Sequence, residues 1–232
     1  MSTDRVSFGI EGLDTMLNGG LIPRTVATIL GSYGTGKTSF ALNFIWKGLQ
    51  NNENVIYISL EESSERIRTY MELRGWDVAS YIGTHLTLVN LDPSNFHLAV
   101  NSVKNELPEL IKSLGATRVV IDPISLFEDL FDEDVDRRRE MMRIMEGLRA
   151  LDCTVVITTE SDRTNPFSSR HNLVEYLSDT VILLRYARGD GNSDAHLAVE
   201  IVKMRMSSHS REVKPFEMLS DSIIVYTEAN VF

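Results

Sequence analysis

Three glycines, a lysine and four serine or threonine residues fall within ten positions in GSYGTGKTSF, residues 31–40. The first eight, Gly31 to Thr38, satisfy G-x-x-x-x-G-K-[ST] in full. That pattern suits a phosphate cradle. Glycines let the backbone turn its N–H groups inward, and a following helix adds its positive end. Backbone and side chains of Ser32, Gly34, Thr35, Gly36, Lys37, Thr38 and Ser39 would then surround a nucleotide. Lys37 would reach the outer phosphates, and the Thr38 hydroxyl would hold Mg²⁺. The alternative is a flexible turn between two buried elements. The flanks favour the cradle, because an apolar run (VATIL) precedes it and a helix-like stretch (ALNFIWKGLQ) follows.

Binding phosphate is not hydrolysing it. Hydrolysis also needs an acid to organise the metal and a group to orient water, both at the carboxyl ends of neighbouring parallel strands. RVVID ends in Asp122 after an apolar run. Asp122 suits the metal role, although Pro123 follows and an Asp-Pro turn closing the strand is the plain alternative. Beside a phosphate cradle the metal role is favoured. Glu61 and Glu62 end VIYISL and could polarise water. They also precede SSERIRTYMELRG, where acids at a helix start are routine, and spacing alone favours that second reading.

These residues need a frame. Short β-branched runs alternate with helical patterns, the signature of a βαβ arrangement with a mainly parallel sheet. Strands are expected at 25–30, 54–60, 86–90, 117–121, 154–159 and 180–184. Helices are expected at 38–50, 63–74, 96–114, 134–150 and 172–178, with Pro108 kinking or splitting the third. Most strands lack polar alternation and should be covered on both faces. After residue 185 the pattern changes. ARGDGNSD reads as a turn, and LAVEIVKMR, KPFEML and SIIVYT read as antiparallel strands closing a sheet edge. In EDLFDEDVDRRRE, the acids should open a helix and Arg137, Arg138 and Arg139 should lie on its solvated face.

The 232 residues fit one domain, 1–232, with no linker or internal repeat. A net charge of −10 argues against a general nucleic-acid binder. The lone cysteine, Cys153, sits in an apolar run and cannot pair within the chain, so a reducing compartment and an inert thiol are expected. The start carries no basic and apolar leader, and no stretch approaches 18 apolar residues, which points to the cytoplasm.

Taken together, the chain resembles the RecA-type ATPases, and more closely the single-domain relatives of the circadian-clock ATPase KaiC. The resemblance rests on IEGLDTMLNGGLIPRT (10–25), the P-loop, LEES (60–63), Gly75-Trp76-Asp77, VVID before Pro123, RRE before a helix, TTE (158–160) and VKMRMSSH (202–209). It implies an α/β, RecA-like P-loop fold with an antiparallel C-terminal extension, and ATP and Mg²⁺ as ligands. It implies Glu61 as general base, Glu62 in support, and contacts from Lys203, Arg205, Ser207 and His209 to the nucleotide of a neighbouring subunit. Read without it, the last segment is a charged edge strand, on which Lys203 and Arg205 share a face. The resemblance also implies a homo-oligomer, a hexameric ring, with a protein partner sensing its state. The P-loop occurs once, so neither autokinase activity nor timekeeping carries over. Tyr33 is bulkier than is usual at its place and would either stack near the nucleotide or cover the loop.

Two other functions fit the same core. A recombinase-like protein would bind single-stranded DNA through 161–171, where Arg163, Arg170 and His171 accompany Phe167. The plain reading of that loop is a mobile surface turn. A nucleotide-sensing scaffold would bind ATP without appreciable turnover.

Overall fold

The computed structural model describes residues 4–91, 105–188 and 195–229. One nine-stranded sheet organises them, in the order β3-β2-β4-β5-β1-β6-β7-β8-β9. The strands are β1 (Val26–Gly31), β2 (Val55–Ser59), β3 (Leu86–Asn90), β4 (Arg118–Asp122), β5 (Thr154–Glu160), β6 (Thr180–Arg188), β7 (Ala195–Met204), β8 (Lys214–Met218) and β9 (Ile223–Val225). β1 to β6 are mutually parallel, and β7 to β9 add on antiparallel. The fold class and the C-terminal extension are therefore as the sequence implies.

The helices are α1 (Glu11–Met16), α2 (Lys37–Gln50), α3 (Ser64–Leu73), α4 (Leu107–Leu114), α5 (Ser125–Glu128), α6 (Asp134–Arg149) and α7 (Val174–Leu177). The central strands explain why both sheet faces need covers. Ala27, Ile29, Val55, Tyr57, Val120 and Val156 pack with α2 on one face. Ile56, Ile58, Val119, Ile121, Val155 and Ile157 pack with α6 on the other. Apolar side chains alternate between two cores, so the runs read as continuously hydrophobic. Among the described residues no helix is long and apolar enough to cross a membrane.

One expectation changes and another is only partly covered. Pro108 sits in the first turn of α4, a position that tolerates proline, and residues 105 and 106 before it are also helical. The part of the expected helix at 96–104 lies outside the described residues, as do 189–194 of the expected turn. The acidic and basic run after Glu128 is not wholly a solvated face. Arg138 and Arg139 are exposed, but Arg137 is buried and donates to the Glu128 and Phe131 carbonyls and to Asp134.

Glu128 is fully buried, and neither carboxyl oxygen has a hydrogen-bond partner among the described residues. Burial pushes its acid up to about 8; Glu175 and Asp129 add to this, and Arg137 only partly opposes them. An acid whose folded value lies above its unfolded one binds more protons when folded. Stability is then greatest below about 4.5 and falls as pH rises towards 8. Glu128→Gln is expected to remove this loss, raising stability by a few kcal/mol at pH 8 and little at pH 5. Urea denaturation at the two values checks it.

Candidate functional site

The carboxyl ends of β1, β2, β4 and β5 meet at one edge. Gly31 is level with Glu160, and Ser59 with Asp122, so the turns leaving these strands face one crevice. At its centre is the loop between β1 and α2. Gly34 and Gly36 have φ of 74° and 94°, in the left-handed region that side chains resist. A Cβ at Gly36 would also lie 2.5 Å from Met218 Sδ. Thr35 is buried and donates to the Ser32 carbonyl at 2.7 Å, tightening the turn. Lys37 opens the 14-residue α2. Its Nζ donates to the Gly31 and Ser32 carbonyls, each at 3.0 Å. Burial lowers the Lys37 ammonium below the ordinary lysine value, against the pull of Glu160, Asp122 and Glu61. The acids keep the ammonium charged, and a charge held partly out of water attracts an anion more strongly than an exposed one.

Thr38, the next residue, donates to Asp122 Oδ2 at 2.8 Å. Tyr57 donates to the same oxygen and Thr158 to Oδ1, so Asp122 is held from β2, β5 and α2 together. Burial, with Asp122 adjacent, pushes the Tyr57 phenol well above its ordinary value and keeps it a donor. The peptide bond from Asp122 to Pro123 is cis. A hydroxyl and a carboxylate oxygen side by side are hard donors of the kind Mg²⁺ takes. Magnesium characteristically uses one or two protein oxygens and completes its shell with phosphate and water. No three His, Cys, Asp or Glu side chains among the described residues group closely enough to hold a metal alone.

The two adjacent glutamates part company. Glu62 pairs with Arg66 at 2.9 Å and accepts from Tyr70 at 3.2 Å, so α3 engages it much as a helix-start acid would be engaged. The helix itself is capped by Ser63, which accepts from the Arg66 N–H. Glu61 is exposed and makes no side-chain hydrogen bond among the described residues. It lines a cleft of about 460 Å³ with Thr38, Ser39 and Asp122, and also a second cavity of about 390 Å³ with Pro123, Glu160 and Arg163. A carboxylate with no hydrogen-bond partner among the described residues, between two spaces each roomy enough for water, can accept a proton from water.

Ser39 is committed to the cleft wall, its hydroxyl accepting from Arg74 at 2.8 Å. Arg74 in turn lies over Trp76, which stacks on Trp46 at 5.3 Å. Tyr33 is 84% exposed, and the Tyr186 hydroxyl lies 2.8 Å from where a Gly34 Cβ would stand.

Lys203, Arg205, Ser207 and His209 are not brought to this crevice. β7 runs antiparallel to β6, and its last residue, Met204, is level with Thr180, whereas the P-loop's Gly31 is level with Leu184. Four strand residues, about 13 Å, separate the two rows. Lys203 and Arg205 do share a side, both donating to the Tyr176 carbonyl, at 3.2 and 3.0 Å. Ser207 accepts from Arg5 at 2.8 Å, and His209 Nδ1 lies 2.7 Å from the Ser210 carbonyl. The 161–171 loop is tied down. Asp162 accepts from the Thr164 and Asn165 N–H groups, and Ser161 bridges Ser169. Arg170 and His171 both turn onto Asp129, at 3.0 and 3.2 Å, so much of the loop's basic charge is met by an acid of the same chain.

Sequence reasoning did not single out Tyr57, Thr158 or Glu160 as parts of the site. Tyr57 looked like one more apolar strand position. TTE carried the family likeness without a role, though an acid ending an apolar run was a signal available in the sequence; the structure puts that run beside β1.

A sequence-family model of the ATPase KaiC matches residues 6–230. The chain is 31% identical to a UPF0273 protein of Aeropyrum pernix, covering 97% of this chain and 94% of that one. It is 32% identical to a circadian clock oscillator protein KaiC of Prochlorococcus marinus, over 97% of this chain but 46% of the clock protein, so it spans about half the length of that relative. The crystal structure of a KaiC-like protein from Pyrococcus horikoshii superposes with a TM-score of 0.84 at 30% identity, covering 97% of this chain and 99% of that one. The chain belongs to the KaiC family of ATPases, within the RecA-like P-loop fold.

Proposed function

We propose that the protein is a magnesium-dependent ATPase working as a head-to-tail ring, in which Glu61 activates water. The observation that carries this reading is the division at the β2 and β4 ends. Asp122 is fixed against Thr38 at 2.8 Å, while Glu61 beside it is left bare. Metal-holding and proton-accepting duties thus fall to separate carboxylates.

In this reading the loop amides and Lys37 hold the β- and γ-phosphates, and Thr38 and Asp122 hold the metal. When bound, magnesium neutralises charge on the phosphate oxygens. Glu61 takes a proton from water as its oxygen bonds to the γ-phosphorus. The bond from that phosphorus to the β-bridging oxygen breaks, releasing ADP and inorganic phosphate. Glu62, paired with Arg66, backs the turn that carries Glu61.

Lys203 and Arg205 lie level with the start of β6, towards the opposite strand ends from their own P-loop, so a nucleotide they touch is read as another copy's. Ser207 and His209 would join that contact. Repeating a head-to-tail contact closes a ring when its rotation permits, here six copies by family likeness. A protein partner reading the ring's nucleotide state completes the proposal. Sizing by light scattering with and without Mg-ATP tests it. A hexamer stabilised by Mg-ATP is expected, and a monomer under every nucleotide condition would remove the ring.

A further inference from the structure

Asp179, between α7 and β6, is a junction of three elements. It is 7% exposed. Its Oδ2 accepts from the Val26 N–H, at the first residue of the strand that leads to the P-loop, at 3.0 Å. It also accepts from Arg149 at 3.1 and 3.2 Å, and from Arg205 Nη1 at 3.4 Å. Its carbonyl accepts the Arg205 backbone N–H at 2.8 Å. Arg149 comes from the last turn of α6 and donates to the Leu177 carbonyl as well.

One carboxylate therefore faces two guanidinium groups, and it does not share itself equally. Arg149 holds it by a two-pronged contact, whereas Arg205 makes a single longer one and its side chain is 46% exposed. A third cation, Lys203, sits beside them on the Glu175 and Tyr176 carbonyls. Burial pushes it down to about 8, and the nearby Arg205 and Arg149 charges push the same way. The group is thus cationic in excess, with its acid largely satisfied by the arginine that faces inward.

We propose that Arg149 is a positioning residue: by taking up the charge of Asp179, it leaves Arg205 aimed but electrostatically unspent, free to meet the phosphates of an adjacent copy's nucleotide. This rests on the neighbour-contact reading given above. Without Arg149, a buried carboxylate would have Arg205 as its main cationic partner. A buried acid captures such a partner strongly, because leaving it unpaired is costly. Arg205 would then be drawn back onto Asp179. The net charge of the three groups would fall from +1 to zero, and replacing Asp179 by Asn as well would restore it to +1.

The test is steady-state phosphate release, with kcat and KM for Mg-ATP, on the full chain carrying Arg205→Ala, Arg149→Gln, Arg149→Lys, or Arg149→Gln with Asp179→Asn. Each variant is checked for fold by circular dichroism and for size by light scattering. Arg205→Ala should lower kcat at least about 100-fold. Arg149→Gln should lower it about tenfold with assembly retained. The added Asp179→Asn should recover most of that loss, which a merely structural lesion would not do. Arg149→Lys keeps the charge and should retain most of the turnover, which covers the case in which Arg149→Gln fails to fold. If Arg205→Ala is harmless, the neighbour-contact reading falls and this inference with it. If Arg205→Ala is severe but Arg149→Gln is harmless, or is not rescued by Asp179→Asn, or Arg149→Lys is as poor as Arg149→Gln, the inference alone is overturned.

Discussion

Glu61→Gln is expected to lower the phosphate-release rate by about 10² to 10⁴-fold, while Mg-ATP still binds with close to wild-type affinity. Glutamine keeps the length and hydrogen-bonding shape of the side chain and removes only its capacity to take a proton. Glu61 makes no side-chain hydrogen bond among the described residues that the change would break, so stability should hardly move. Glu62 provides the contrast. It is held by Arg66 and Tyr70, so Glu62→Gln should weaken a partly exposed ion pair and lower turnover much less. Single-turnover measurements with excess enzyme separate the chemical step from product release. Equal losses for the two variants would contradict the division between them, and undiminished turnover in Glu61→Gln would remove its role.

The residues of the crevice were legible in the sequence to different depths, for physical reasons. Gly31 to Thr38 could be read because a phosphate cradle demands particular residues at adjacent positions, and glycine with positive φ has few substitutes. Asp122 could be read because it ends an apolar run. The sheet followed from that same patterning, since strands covered on both faces carry few polar residues. Contacts made across the sheet could not be read. Nothing local in VIYISL marks Tyr57 as a donor to an acid 65 positions later, because register alone puts β2 beside β4. The same holds for Thr158 and for the knot around Asp179, which draws on α6, β1 and the end of β7. Charge runs misled for a related reason. A run of acids and arginines looks solvated when its pieces are counted, yet the turn from α5 into α6 folds Glu128 and Arg137 inward. Between Glu61 and Glu62, spacing offered no basis for choice; the cleft wall and the first turn of α3 distinguish them.

Lys37→Met is expected to abolish the thermal stabilisation that Mg-ATP gives the wild type and to lower turnover by about 10² to 10³-fold. Its effect on the ligand-free protein should be small, because two contributions oppose each other. Burial lowers the ammonium below the usual lysine value, so the charged form is disfavoured in the folded protein, and an apolar side chain relieves that. Methionine also withdraws the donor shared by the Gly31 and Ser32 carbonyls, at 3.0 Å each, which costs some of the gain. The sign of the pH dependence follows. A lysine whose folded value is depressed binds fewer protons folded than unfolded, so the wild type should gain stability as pH rises through the folded value towards 10.5, and Lys37→Met should lack that gain. With ligand the contributions no longer cancel. A ligand at a hundred times its dissociation constant stabilises by about 2.7 kcal/mol, and that increment vanishes when binding does. Differential scanning fluorimetry with and without Mg-ATP reads both halves. A shift as large as the wild type's would mean that the loop amides hold the triphosphate without the lysine, and the roles assigned around Gly31 to Thr38 would have to be redrawn.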